Sequence, residues 1–157
     1  MTASARGAGL DIRTAGPLPP DADVLELIHR YLSVGFSDLS IADRDEQRRP
    51  MLSAGWIYHG IDGSPIGLGG LTQRQTRNEL KIHERRSHDH TLFQHDNTAI
   101  FTFKVWSAGE DKGKLFGGCG SWVTVMTRTP QGWRAAADIV GAEPNTHDEP
   151  EDAYSWI

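Results

Sequence analysis

The sequence predicts one α+β domain: N-terminal helices packed on a strongly bent, mainly antiparallel sheet, giving a cone-shaped α+β barrel. Three observations predict it. Helical periodicity is confined to the first 80 residues or so; four long stretches with strand alternation then follow in succession; and the joints between them are short and rich in Gly, Pro, Asn and Asp. Helices first and a meander afterwards is the pattern of a sheet covered on one face.

Residues 1–20 are rich in Gly, Ala and Pro, show no periodicity and end in Pro17-Leu18-Pro19-Pro20, as expected of a flexible leader. A first helix starts with Asp21 or Asp23 as N-cap, and Asp23 and Glu26 have capping-box spacing. Val24, Leu27, Ile28, Tyr31 and Gly35 fall on one face of it at the helical period. A second, weaker helical stretch covers Ile41 to Arg49, and Pro50 limits its continuation. Trp56-Ile57-Tyr58-His59 reads as a short strand closed by a turn at Gly60-Ile61-Asp62-Gly63, and Leu71 to Leu80 as a third helix.

Four strands are then expected, Lys81–Gln94, Thr98–Trp106, Leu115–Arg128 and Trp133–Val140. Alternation is plain in Phe101/Phe103/Val105 and in Ser121/Val123/Val125/Thr127. Turns are expected at His95-Asp96-Asn97, across residues 108–113, and at Thr129-Pro130-Gln131-Gly132, where Pro and Gly sit as a type I turn favours. No internal repeat is present. The domain is expected to span residues 21–142, followed by an acidic tail, 143–157.

Composition narrows the function classes. With 38% hydrophobic and 24% charged residues the chain can build a core, which separates it from disordered sequences. Its apolar runs are too short for a membrane-spanning helix. Five acidic residues and no Lys or Arg between Glu143 and Asp152 account for the net charge of −5, so the body is near neutral. A near-neutral body lacks the basic stripe of a nucleic-acid binder and the polybasic cluster of a membrane anchor. The tail is either a docking segment or a solvated end. Cys119 is the single cysteine, which excludes an internal disulfide and a multi-cysteine zinc site. Residues 1–20 have no apolar signal-like core, so a cytoplasmic location is expected.

Four short pieces carry a family resemblance. They are Arg30-Tyr31-Leu32 with Asp38-Leu39; Trp56-Ile57-Tyr58-His59-Gly60 with Asp62-Gly63; His95-Asp96-Asn97-Thr98-Ala99 running on to Val105-Trp106; and Val125-Met126 followed by Gly132-Trp133-Arg134. From about Asp23 to Val140 the chain resembles the nuclear transport factor 2-like superfamily, in its SnoaL-like and ketosteroid isomerase-like branch. The resemblance implies a cone with a pocket for a small hydrophobic molecule, no cofactor, and a homodimer. It implies acid–base chemistry (isomerase, cyclase, dehydratase or hydrolase) on a hydrophobic carbonyl or hydroxyl compound. By this resemblance Tyr31 matches an oxyanion-binding tyrosine and His59 stands where the isomerases carry a proton-shuttling carboxylate. The second oxyanion group of those enzymes, an aspartic acid, has no counterpart, since Thr124 takes its place with Ser121 three residues before. Asp138, on the last strand, resembles an acid–base residue of the polyketide cyclases.

Each of these residues has a plainer reading. His59 carries an imidazole, the side chain suited to shuttling a proton, or it is a hydrogen-bonded strand-end histidine. Tyr31 serves a ligand oxygen or a protein partner, since a buried phenol needs one of the two. Asp138, among Ala135-Ala136-Ala137 and Ile139, is a catalytic acid or the polar face of an edge strand. Trp56, Phe101, Phe103, Ser121 and Val123 are expected to line the substrate cavity. His83, His88, His90 and His95 invite a metal reading, with His88 and His90 on one face by their spacing of two. Alternating His, Arg and Glu there fits a solvated or subunit-facing surface better, and no metal is expected. The rival to an enzyme is a non-catalytic ligand carrier or an association domain.

Overall fold

A computed structural model describes residues 12–16, 18–60, 65–77 and 79–142 of the chain. In order they form β1 (Ile12–Ala15), α1 (Ala22–Gly35), α2 (Ile41–Arg48), a 3-10 turn (Arg49–Met51), β2 (Leu52–His59), β3 (Pro65–Ile66) and α3 (Leu68–Arg77). Four long strands follow, β4 (Lys81–His95), β5 (Thr98–Asp111), β6 (Lys114–Thr129) and β7 (Gly132–Ala142). The three helices lie with one seven-stranded sheet of order β1-β4-β5-β6-β7-β2-β3. The sheet does not close on itself. β4 to β7 form the expected antiparallel meander. β2 joins β7 in parallel and β1 joins β4 in parallel, so the sheet is mixed at its two sides.

α1 buries Val24, Leu27, Ile28 and Tyr31 of the predicted stripe, and Leu32 beside it, while Gly35 is half-buried. They pack with the inward strand residues Leu92, Phe101, Phe103, Val105, Met126 and Trp133 into one core. Each fully buried aliphatic or aromatic side chain there contributes about 1.5–3 kcal/mol. Asp21 is the N-cap of α1 and makes no side-chain cap bond, so the capping box expected at Asp23 is not used.

Three expectations about the elements are corrected. Residues 12–15, expected in a flexible leader, form a strand in register with His90–Phe93. The edge of β4 needs backbone partners and Ile12 packs on the core, signals that four residues of sequence do not carry. The segment 108–113, expected as a loop, is mostly strand. Its turn is only Lys112-Gly113, both with positive φ (52° and 77°), between the paired residues Asp111 and Lys114. Gly109 is a strand residue; a Cβ there would stand 2.0 Å from the Lys81 carbonyl oxygen, so the close approach of β4 demands glycine. Finally, β2 begins at Leu52, four residues before the expected Trp56. The turn expected at 60–63 and the tail 143–157 lie, apart from Gly60, outside the described residues.

Two β-bulges decide which side chains face the helices. Val125 pairs with Ala137 while Met126 pairs with Ala135, so Ala136 is an extra residue in β7. Trp133 and Ala135 are buried before it and Asp138 after it, because the extra residue reverses the phase of the alternation. In β4, His88 pairs with Lys104 and Thr91 with Thr102, so Asp89 (φ 54°) and His90 together oppose one residue, Phe103.

Candidate functional site

Across the sheet, Phe101, Thr124, Asp138 and Tyr58 stand in register, and this row faces the helices. Asp138 is fully buried at its centre. Its Oδ1 accepts hydrogen bonds from Trp122 Nε1 (3.0 Å) and Thr124 Oγ1 (2.6 Å). Its Oδ2 accepts from Trp56 Nε1 (3.2 Å), Arg48 Nη2 (3.0 Å) and the Tyr31 hydroxyl. Five donors on an acceptor-only group leave its lone pairs engaged.

Arg48 couples this carboxylate to α2. It also donates from Nη2 to the Tyr31 oxygen at 2.5 Å, and its guanidinium lies over the Tyr31 and Trp56 rings, 5.0 and 5.4 Å from their centroids. Its Nη1 stands 3.6 Å from Asp45, which also accepts from Thr72 Oγ1 at 2.8 Å and pairs with Arg44 at 3.5 Å. Burial, then the negative charge of Asp138, hold the Tyr31 phenol well above its ordinary pKa. Burial alone would lower the Arg48 guanidinium, but Tyr31 and Asp138 overcome it and hold Arg48 above its ordinary value.

Beside this network lies a cavity of about 80 Å³, lined by residues that include Tyr31, Arg44, Arg48, Tyr58, Gln75, Arg85, Phe103 and Trp122. Phe103 stacks on Trp122 with centroids 6.0 Å apart, and Tyr58 tilts against the same indole at 6.2 Å. A larger groove of about 670 Å³ shares Gly35, Phe36, Arg44, Gln75 and Arg85 with it and continues outward past α3 and the start of β4. Arg85 donates from Nη1 to the Gly35 carbonyl (3.1 Å), and its Nε is buried without a partner. Burial, then repulsion from Arg44 and Arg48, lower Arg85 to about 10.

The structure brings Tyr31, Asp138 and Trp56 into one hydrogen-bonded cluster and sets Phe103 on the cavity wall. Phe101 faces the same interior, buried and stacked 5.9 Å from His90, but does not line the cavity. His59, Ser121 and Val123 are corrected. Strand alternation sends His59 to the face opposite Trp56 and Tyr58, in register with Ile139. It likewise sends Ser121 and Val123 opposite to Trp122 and Thr124, and Val123 stands in register with that same Ile139. None of the three lines the cavity. His88 and His90, expected on one face, lie on opposite faces because of the bulge at Asp89. His90 turns inward, 2.8 Å from Ser87 Oγ, and stacks on Phe101 and Phe103. Among the described residues, no group of three or more His, Cys, Asp and Glu is placed to hold a metal.

Sequence reasoning missed Arg44, Asp45, Arg48 and Arg85. A signal existed for three of them. α2 reads IADRDEQR and has no apolar stripe, so a helix buried there must turn charge inward, and its buried residues are Arg44, Asp45 and Arg48. Arg85 had none, because the bulge at Asp89 shifts which of the polar residues of β4 face in.

The chain matches no family model, and no curated protein matches it. Solved structures do. An NTF2-like protein of unknown function in nutrient uptake from Rhodospirillum rubrum superposes with a TM-score of 0.61 at 14% identity, over 72% of this chain and 95% of its own. A candidate ketosteroid isomerase of Shewanella frigidimarina gives 0.59 at 12% identity, over 77% and 96%. The CaMKII hub of S. rosetta gives 0.60 at 13% identity, over 82% and 100%. Likeness at such identities is a likeness of fold: three helices on a bent, open sheet, in a chain with the NTF2-like fold.

Proposed function

We propose that this chain is a ligand-binding domain that takes a small, largely apolar molecule in the cavity between α1, α2 and the sheet. The observation that carries this reading is the state of the polar cluster behind the cavity. The Tyr31 hydroxyl donates to Asp138 and accepts from Arg48, so its proton and a lone pair are both engaged within the protein. Asp138 has no exposed surface and five donors of its own. An acid–base catalyst needs a titrating group within reach of the substrate, and His59 stands on the opposite face of β2. The cluster therefore acts as a rigid floor, and Tyr58, Phe103 and Trp122 offer the aromatic wall against which an apolar body packs.

Titration with neutral aromatic fragments, followed through the Trp122 indole N–H resonance, tests it. Binding is expected to move Trp122 and leave Trp133 unchanged. Gly35 lines the cavity, and a Cβ added there meets nothing within 4 Å. Gly35→Leu is therefore expected to keep the fold and block the site. Fragments that never shift Trp122, or bind the blocked variant equally well, would refute the reading.

A second reading, self-association, is favoured by the other face of the sheet. Phe93, Ile100, Val125, Ala137 and Ile57 stand in one register row there. Within it Phe93, Ile100 and Ile57 are 39%, 37% and 42% exposed, and Ile139 in the next row 42%. A continuous apolar row of this kind suits a homodimer in the cytoplasm, with the two sheets face to face. Sedimentation at micromolar concentration is expected to give a dimer that Ile100→Lys dissociates. A monomeric parent protein would end this reading.

A further inference from the structure

Resting on the ligand-binding reading, we propose that the ligand carries a carboxylate and that Arg85 is its receptor. Among the described residues three guanidinium groups line the cavity, those of Arg44, Arg48 and Arg85, and no carboxylate lines it. Two of the three are balanced. Arg48 pairs with Asp138 and Asp45, and Arg44 pairs with Asp45 while donating to Gln75 Oε1 at 3.2 Å. Among the described residues no carboxylate pairs with Arg85. Its guanidinium donates to the Gly35 carbonyl through Nη1 and lies over the Phe36 ring, 5.8 Å from the guanidinium carbon.

A half-buried cation without an ion-pair partner carries a desolvation cost that an anion at the site offsets. The effect of these surroundings is visible in Arg85 itself, lowered to about 10 by burial and by its two arginine neighbours. With Nη1 committed to Gly35 and Nε enclosed by protein, the Nη2 amino group remains for a ligand. Nη2 offers N–H donors that share the guanidinium charge, which suit a carboxylate oxygen. The groove that shares Arg44, Gln75 and Arg85 with the cavity provides entry from solvent. Phe36, Tyr58, Phe103 and Trp122 then receive the apolar part. The ligand class is a small aromatic or short-chain monocarboxylate.

Calorimetric and NMR titration of the whole chain with benzoate, phenylacetate and butyrate, each against its amide and with phenyl phosphate beside them, tests this. At least one carboxylate is expected to shift Trp122 and to bind about tenfold or more tighter than its amide. Arg85→Gln is expected to abolish that preference while amide binding stays within about twofold. Arg85→Lys, which keeps the charge and loses the fork, is expected to fall between. Circular dichroism and thermal melting establish that both variants are folded. Amides that bind as tightly as the acids, an Arg85→Gln protein with unchanged carboxylate affinity, or a clear preference for phenyl phosphate would each overturn the proposal. Neutral fragments that bind while every carboxylate fails would overturn the carboxylate alone. A site that accepts neither would sink the ligand-binding reading itself.

Discussion

Replacing Asp138 by Asn keeps the shape of the side chain and removes its charge, so it tests whether the buried cluster is held by that carboxylate. The contacts set the orientation of the new amide. With its oxygen at the Oδ2 position it still accepts from Tyr31, Arg48 and Trp56, while its NH2 meets Thr124 Oγ1, which can turn to accept, and Trp122 Nε1, which cannot. The opposite orientation sets NH2 against two obligate donors, Arg48 and Trp56, and is worse. The favoured orientation loses one indole hydrogen bond, worth about 1 kcal/mol because Trp122 is only part-buried. It also strips Arg48, 6% exposed, of its nearer counter-charge. Breaking a buried pair costs about 3–5 kcal/mol, and Asp45 at 3.6 Å retains part of it. The expected loss is about 3 kcal/mol, measured by urea unfolding followed by circular dichroism. Arg48→Met combined with Asp138→Asn is expected to cost clearly less than it does alone, with a coupling of about 1–3 kcal/mol. A single-variant loss below about 1 kcal/mol, or strictly additive variants, would refute a carboxylate-centred cluster.

Tyr31 ionises well above the ordinary phenol range because it is buried and faces Asp138. Its folded-state value is raised, so the stability it contributes is present below that range and lost as pH climbs past it. Alkaline absorbance titration is expected to show a late-ionising tyrosine that is absent in Tyr31→Phe; a variant that keeps the late phase would contradict the structure. Arg85 runs the other way. A cation whose folded-state value falls to about 10 opposes folding below that pH, and the cost is relieved as pH rises above it. Arg85→Gln is therefore expected to stabilise the ligand-free protein at neutral pH by about 1–2 kcal/mol, after loss of the Gly35 hydrogen bond, and a melting temperature that falls instead would count against an unpaired charge. His59→Ala, on the face away from the cavity, is expected to change stability by about 0.5 kcal/mol or less and fragment affinity by less than about twofold. A larger drop in affinity would return His59 to the site.

The order of the elements was legible because it rests on periodicity, which one sequence carries in full. Val24, Leu27, Ile28, Tyr31 and Leu32 are buried as a stripe, and the run from Lys81 to Val140 folds as four paired strands. Facing was legible only as far as the alternation stays in phase. Counting by twos from Trp133 sends Ala137 inward and Asp138 outward; one extra residue at Ala136 reverses both, and a carboxylate that reads as the polar face of an edge strand becomes the centre of a buried cluster. The same counting error paired His88 with His90 in one face, and a bulge at Asp89 separates them. A bulge costs the ladder little and leaves no compositional mark beyond a tolerant residue, so it is invisible to pattern while it decides chemistry. The polar helix α2 was the opposite case. Its sequence lacked any apolar face, and that lack was itself the evidence that its inner surface had to be satisfied by charge. Asp45 and Asp138 supply the buried negative charge for Arg44 and Arg48, and among the described residues no carboxylate forms an ion pair with Arg85. The same shortage of carboxylates at the cavity leaves one of its three guanidinium groups without an ion pair.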